Sequence, residues 1–391
     1  MKFKVLFLSF IFSCTGLFAQ KPVDFSSIDN TMLQIPDSCT KSTQSIARYI
    51  NSRFTTQNDR ARAAFYWVAR NIRYDVKNMY TINFYESENE IIDKVLATRK
   101  GVCMSYAALF TDIVTKTGIR AYRIEGYTRQ NGFTDYVPHA WVAARIDANW
   151  CLFDPTWAAG YLSNSKFVAK LNNAYWKTKP EEMIKSHMPF DPLWQLLSYT
   201  VTNAEFNQGK TTINTKKSLF NFNDSIAAYE KLNETERLAS FTGRLERNGI
   251  SNSLLFDRYQ YNKREIEYLR SKQFTDLYNK AVNDMNEGVN ALNEFINYRN
   301  RQFTPVKPDP ELKLMLENIE TKFTNSKLSL DQIKNPDANA KISISQLNHS
   351  IEEATKNLTE QKTFLTKYLS ASRIFRKSMF YKYSWMGIPL N

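Results

Sequence analysis

Apolar residues recur along this chain in three successive patterns. Between Ser42 and Tyr74 the spacing is helical: IARYINSRF is one amphipathic piece, and after a capping Asp59 the pairs Ala63 and Trp67, Ala64 and Val68 fall one turn apart. Residues Ile91 to Thr98 predict a short helix. The run from Cys103 to Thr117, free of Gly and Pro, lines up Tyr106, Phe110, Ile113 and Val114 before Gly118 closes it. Asp75 to Glu90, rich in Tyr, Asn and Glu, reads as a loop over a cleft.

The period then shortens to two. AYRIEGYTR predicts a strand, QNGFTD a turn, HAWVAARI a strand opening at His139, and WCLFD its antiparallel partner after a polar turn at Asp147 to Asn149. Helices first and antiparallel strands after give α+β with a segregated sheet. Residues 162–203, with Trp176, Trp194, His187, Met188, Pro180, Pro189 and Pro192, read as a wrapping around the domain's edge. The polar stretch that follows reads as a linker or a pair of edge strands.

From about residue 222 the helical period returns in longer runs. Phe274, Leu277, Ala281, Met285, Val289, Leu292 and Ile296 form one stripe, and Leu347, Ile351, Ala354, Leu358, Leu365 and Tyr368 another. Breaks at Pro305, Pro308, Pro310 and Pro336 predict a bundle of long antiparallel helices. The expected organisation is therefore a leader at 1–19, an α+β domain at 20–200, a linker or edge strands at 201–221, and a mostly α-helical C-terminal domain at 222–391.

The leader rests on Lys2 and Lys4, the apolar run VLFLSFIF, and a small residue at Ala19, the layout of a secretory signal peptide cut after Ala19. It is too short for a permanent membrane span. Cys14 offers a rival reading, a lipid-modified anchor, against which Phe12, Leu17 and Phe18 argue. Export to the periplasm or outside the cell is the expectation. Without Lys2 and Lys4 the chain keeps 50 basic and 39 acidic residues, so its net charge falls from +13 to +11. Because the charge is spread evenly over both halves, a dedicated nucleic-acid face is not expected; a basic surface suits solubility or anionic envelope polymers.

Three cysteines follow the leader: Cys39, Cys103 and Cys151. Cys39 and Cys151 could pair, though Cys151 in a strand reads equally as a buried apolar residue. Cys103 carries the chemistry. At the first turn of its helix, unpaired N–H groups and the positive end of the dipole favour thiolate, and Arg99 and Lys100 push the same way. Those N–H groups could also hold an oxyanion.

His139 and Asp154 complete a set. Positions 139 and 154 sum to an odd number, so any hairpin with an even-numbered loop puts both on one sheet face. A loop of about four residues sets them directly opposite, ~5 Å apart, where a carboxylate orients an imidazole. His187, in MIKSHMPF, reads as a surface or packing residue rather than an alternative base. With His at 139, 187 and 349 and no CxxC or HExxH, no ordinary zinc spacing exists. Cys103, His139 and Asp154 read as nucleophile, base and orienter rather than metal ligands, and no cofactor is expected.

The blocks GVCMSYAALF, HAW and DPTW resemble the transglutaminase-like superfamily, whose fold is similar to that of papain-type cysteine proteases. ARAAFYWVARNIRYD is similar to the helix before the catalytic Cys in the bacterial and kyphoscoliosis-peptidase-like branch. The resemblance covers roughly Ser45 to Tyr161 and implies Cys103 as nucleophile, His139 as base and Asp154 as orienter. Tyr106 and Trp157 also resemble motif positions, and read as core packing. The implied activity is cysteine-dependent acyl transfer on amide bonds of protein or peptide substrates. Hydrolysis is favoured over cross-linking because the extra β-sandwich of large cross-linking members is not recognised here. A different class stays open, a non-catalytic binding or assembly module whose helical half recruits cell-envelope partners.

Overall fold

Two short turns set the sheet. Asn131 and Gly132 both adopt positive φ, 49° and 85°, and join β3 (Ala121–Gln130) to β4 (Phe133–Ile146); Asp147 and Ala148, at 49° and 68°, join β4 to β5 (Asn149–Phe153). The computed structural model describes residues 24–81, 86–383 and 389–390. The expected leader, with Cys14, and residues 82–85 of the loop expected over the cleft lie outside them. No helix of the described residues is long and apolar enough to cross a membrane. The chain divides into two compact units, residues 1–232 with 240–260, and residues 233–239 with 261–391.

In the first unit, helices α1 (Ser26–Leu33), α2 (Thr43–Arg53) and α3 (Gln57–Asn71) come first. Strand β1 (Arg73–Tyr74) then pairs in parallel with β2 (Lys100–Gly101), across the intervening helix α4 (Glu88–Thr98). Helix α5 (Cys103–Lys116) follows. Ser42 and Ser87 cap α2 and α4 with capping boxes; at α3 the cap is Thr56 rather than the expected Asp59, which sits three residues inside as the donor to Thr56.

β3, β4 and β5 make three strands of an antiparallel sheet whose fourth, β8 (His187–Pro189), pairs with β3. Its two faces differ in what covers them. Ala140, Val142, Ala144, Ile146 and Phe153 pack with Phe65, Phe110 and Ile113 of α3 and α5. Ile124, Trp141, Ala143 and Leu152 pack instead with Leu193 and Trp194. That alternation is the period of two made visible. Arg62 pins the helical layer: fully buried on α3, it makes a bidentate bond to Asp29 at 2.6 and 2.8 Å and a third bond to Asn173 at 2.8 Å, over the Phe25 ring.

Residues 162–203 do more than wrap an edge. After α6 (Pro155–Ala159) come a hairpin, β6 (Gly160–Ser163) and β7 (Lys166–Ala169), then α7 (Pro180–Met183), then β8 as an edge strand of the main sheet. The stretch expected as linker or edge strands holds no strand; it carries α8 (Asn203–Asn207), closed by a Thr202–Glu205 capping box, and Phe206 is fully buried against Tyr127. Helix α9 (Phe222–Tyr229) sends Ile226 to the cluster around Trp194. The first unit thus runs on through residues expected in the helical domain, because their apolar side chains finish the far face of the sheet.

Two helices straddle the division by residue number, α10 (Glu234–Asn248) and α11 (Ser253–Asn300). In the second unit α11 joins α12 (Asp309–Asp331) and α13 (Ala338–Ser370) around one core. The α13 stripe Leu347, Ile351, Ala354, Leu358 and Leu365 is buried there, against Leu316, Ile319 and Phe323 of α12. To that core α11 gives Ala281, Leu292 and Phe295 as buried positions, while the expected Ile296 is only partly buried.

Candidate functional site

Cys103 is the first helical residue of α5, 4% exposed, with no side chain capping the helix start at Val102. Its Sγ lies 3.8 Å from the Pro138 carbonyl oxygen. Arg99 does not attend it as expected: its guanidinium donates to the Thr40 carbonyl and hydroxyl, both at 2.9 Å, and lies over the Trp67 ring. The β1–β2 pairing brings Tyr74 beside this turn, where it forms part of the cleft wall.

His139 lies inside β4 rather than at its start, and its Nε2 is 2.8 Å from Asp154 Oδ2. With Nε2 engaged by Asp154, Nδ1 is the ring nitrogen left for Cys103, whose proximity raises the imidazole. The β4–β5 loop has two residues instead of about four, so Asp154 continues a register in which position 154 opposes Trp141, not His139. The parity argument survives the change. Histidine and carboxylate share a face as diagonal neighbours, close enough to bond.

Asp154 sits where three segments meet. It caps α6, accepting from the backbone N–H groups of Thr156 at 2.8 Å and Trp157 at 3.0 Å through Oδ1, with Pro155 at the first helical position. Through Oδ2 it takes His139 and also His187, whose Nε2 is 3.1 Å away. His187 corrects the surface-or-packing reading: it is 1% exposed, bonded to Ser186 Oγ through Nδ1 at 2.8 Å, and covered by Trp157 with ring centroids 4.4 Å apart. The signal that could have found it is faint, one polar residue in an otherwise apolar three-residue strand.

Burial opposes charge on all three groups, and the outcome differs by partner. At Asp154 burial would raise the carboxyl, but the His139 charge and the bonds from both imidazoles hold it well below the ordinary carboxylate range. At His139 burial would lower the imidazole, yet the Asp154 charge and bond, with Cys103 beside it, push it up to about 10. At His187 burial wins, helped by the His139 charge and opposed by Asp154, so this ring is pushed down and stays neutral.

His139, Asp154 and His187 also bring one ligand atom each within 4.8 Å of one another. The Nε2 to Oδ2 separations of 2.8 and 3.1 Å are hydrogen-bond lengths. They are shorter than the edge of a zinc tetrahedron, about 3.3 Å for ligands at about 2.05 Å. The set is arranged for protons.

A cleft of about 790 Å³ opens on Cys103 and His139. Tyr74, Trp157, Phe167 and Tyr175 form an aromatic wall, Thr128, Gln130 and Asp135 a polar one, and Met79 and Tyr80 bring the described start of the Asp75–Glu90 loop to the rim. Trp157, expected in the core, is a wall residue; Tyr106 is core, fully buried with its hydroxyl donating to the Ile72 carbonyl at 2.7 Å. Cys39 and Cys151 are unpaired thiols, so no disulfide joins them.

Residues 44–155 match the model of the transglutaminase-like superfamily. Kyphoscoliosis peptidase from Mus musculus is 31% identical over 149 residues, which are 36% of this chain and 22% of that protein. Hillarin from Drosophila melanogaster is 24% identical over 207 residues, 47% of this chain and 24% of that protein. This chain therefore spans about a quarter or less of the length of these curated relatives. A solved structure described as a TGase matches at 18% identity over 41% of this chain and 40% of its own, with a TM-score of 0.24. Residues 44–155, which contain Cys103, His139 and Asp154, are thus the part of the first, α+β unit that is similar to a transglutaminase-like domain, and the long helices of the second unit lie outside that match.

Proposed function

We propose that this protein is an exported, cysteine-dependent acyl-transfer enzyme that acts on amide bonds of protein or peptide substrates. The observation that carries the reading is the 2.8 Å bond from His139 Nε2 to Asp154 Oδ2 at a cleft that both Cys103 and His139 line. Cys103 sulfur attacks the amide carbonyl while the α5 N-terminus faces the developing oxyanion. The proton held on His139 passes to the departing amine as the C–N bond breaks, leaving a thioester and a neutral imidazole. Water then gives a proton to His139 as its oxygen attacks the thioester, and acid and free thiol are released; an amine in place of water gives a cross-link.

Hydrolysis is the favoured outcome, and the polar residues Thr128, Gln130 and Asp135 on the cleft lining support it. Export is supported by the basic and apolar pattern of residues 1–19.

The test uses the protein's own thiols as controls. Iodoacetamide at neutral pH, followed by peptide mapping, should label Cys103 much faster than the half-buried Cys39 and Cys151. Cys103→Ala should abolish release from a panel of peptide amides while the fold persists by circular dichroism. Turnover that survives in Cys103→Ala, or labelling of Cys103 no faster than the controls, sinks the proposal and leaves the module reading.

A further inference from the structure

The reaction as proposed needs one imidazole on Asp154, and the structure supplies two. Both Nε2 atoms address the same oxygen, Oδ2, at 2.8 Å from His139 and 3.1 Å from His187. Oδ1 is already occupied by two backbone N–H groups, so the carboxylate accepts four hydrogen bonds and has no site left for water.

His187 is positioned as deliberately as His139. The β3–β8 register sets it opposite Thr128 and the β3–β4 register sets Gly126 opposite His139, so both imidazoles and Trp141 share one face. Its Nδ1 meets Ser186 Oγ. A hydroxyl donating there leaves Nδ1 as acceptor and puts the ring proton on Nε2, toward Asp154. Among the described residues, the ionisable groups that face this ring are Asp154, His139 and Tyr175, the last with ring centroids 6.2 Å apart; Thr128, opposite it, is neutral and bonded to Asp135, Ser186 is neutral, and Trp141 and Trp157 enclose the ring. His187 is 1% exposed and is not among the described residues that line the cleft.

We propose that His187 is a positioning residue that tunes the base: by donating a second hydrogen bond to Asp154 Oδ2, it weakens that oxygen's hold on the His139 proton. The physical reason is competition. An oxygen that shares its lone pairs between two donors binds each less strongly than it would bind one. The consequence is directional, since a general base must give up its proton near working pH, and a carboxylate serving His139 alone would hold the imidazolium too tightly. Each unit by which the His139 midpoint rises leaves about tenfold less neutral imidazole for the water step.

This inference rests on the acyl-transfer reading for its purpose but not for its test. In the wild-type protein at neutral pH, ¹⁵N-histidine spectra should show His187 as the neutral Nε2–H tautomer and two downfield ring N–H protons bonded to carboxylate. His187→Phe, which fills the space without a donor, should move the remaining His139 proton further downfield and raise its titration midpoint by up to about one unit. His187→Gln, which keeps an N–H donor, should stay near wild type. Ser186→Ala, which releases the tautomer without emptying the site, should shift the signal in the same direction as His187→Phe by a smaller amount. In turnover assays, His187→Phe should lower kcat several-fold with KM unchanged and move the alkaline limb up. An unmoved His139 proton in His187→Phe, or a His187→Gln variant that behaves like His187→Phe, overturns the inference. If His187→Phe fails to fold, an unmoved His139 proton in Ser186→Ala or an Nδ1–H tautomer of His187 in the wild type overturns it alone. A wild-type enzyme with the predicted spectra but no turnover would remove the acyl-transfer reading and leave the competition for Asp154 standing.

Discussion

Gly126→Ala is the smallest change that should separate the fourth strand from the site. A Cβ at position 126 would lie 2.1 Å from the Met188 carbonyl oxygen, 2.5 Å from Trp141 Cη2 and 2.8 Å from Pro189 Cα. Two of these three are backbone atoms of β8, which cannot rotate away. Moving β8 out from 2.1 to 3.4 Å, where ordinary contact begins, takes about 1.3 Å. The flanking bonds Arg129 N–H to Ser186 O and Phe190 N–H to Glu125 O, both 2.9 Å, would stretch past any useful length, as would the 3.1 Å bond from His187 to Asp154. Two backbone bonds at about 1 kcal/mol each and one bond to a charged group at roughly 1.5–3 kcal/mol give a loss of about 3–5 kcal/mol. Urea unfolding of the full chain measures this, and Cys103 alkylation reads the site in the same sample. A variant that loses less than about 0.5 kcal/mol, well inside the range of neutral surface changes, and alkylates like wild type would refute the view that close approach at Gly126 holds β8 and its histidine in place.

Three further outcomes follow from packing and charge. Asp154 holds a carboxyl below its ordinary value of 3.8, so its contribution to stability is present above that value and lost as the pH falls below it; His139 is raised from 6.5 to about 10, so its share is present below 6.5 and lost as the pH rises through about 10. Asp154→Asn should therefore flatten both limbs of stability against pH, and unchanged limbs in denaturation midpoints taken across that range would contradict the coupling. Arg62→Met removes a fully buried guanidinium and strands the Asp29 carboxylate, which should cost about 3–5 kcal/mol in urea unfolding. Leu358→Ala, at 2% exposure in the core of the second unit, should cost about 2–5 kcal/mol, read as a lowered melting temperature of that unit.

What could be read from the amino-acid string followed the strength of the physical signal. Cys103 at a helix start, His139 on a strand of period two and Asp154 directly after another are legible because each adjoins or occupies an element long enough to show its period. β8 is not: three residues, one of them Pro189, carry no period, and their strand character comes from pairing with β3. The β4–β5 turn, expected over Asp147 to Asn149, is shorter by one residue because Ala148 holds a positive φ of 68°, a conformation that Gly or Asn would have advertised. Helix α8 was readable after all, since Thr202 and Glu205 spell a capping box just before Phe206. Arg99 and Trp157 show the remaining limit. Which way a long side chain turns depends on partners distant in the chain, Thr40 for one and His187 for the other.

The placement of Asp154 is a by-product of apolar burial. Val142 pairs with Phe153, and both side chains belong to the core shared with α3 and α5; Ala143 pairs with Leu152 on the other face. A slip of one residue in β5 would pull the fully buried Phe153 off the helical layer, at a cost of several kcal/mol, comparable to roughly 3–5 for losing such a side chain outright. The bond from Asp154 to His139 is worth less than that, at about 1.5–3 kcal/mol. The register should accordingly survive loss of the carboxylate: Asp154→Ala keeps the cross-strand contacts of Val142 with Phe153 in nuclear Overhauser spectra while His139 loses its raised midpoint. Phe153→Ala should do the reverse in kind, loosening the β4–β5 pairing and the site together. Cross-strand contacts that vanish in Asp154→Ala would mean that the polar network builds the sheet and that apolar burial follows from it.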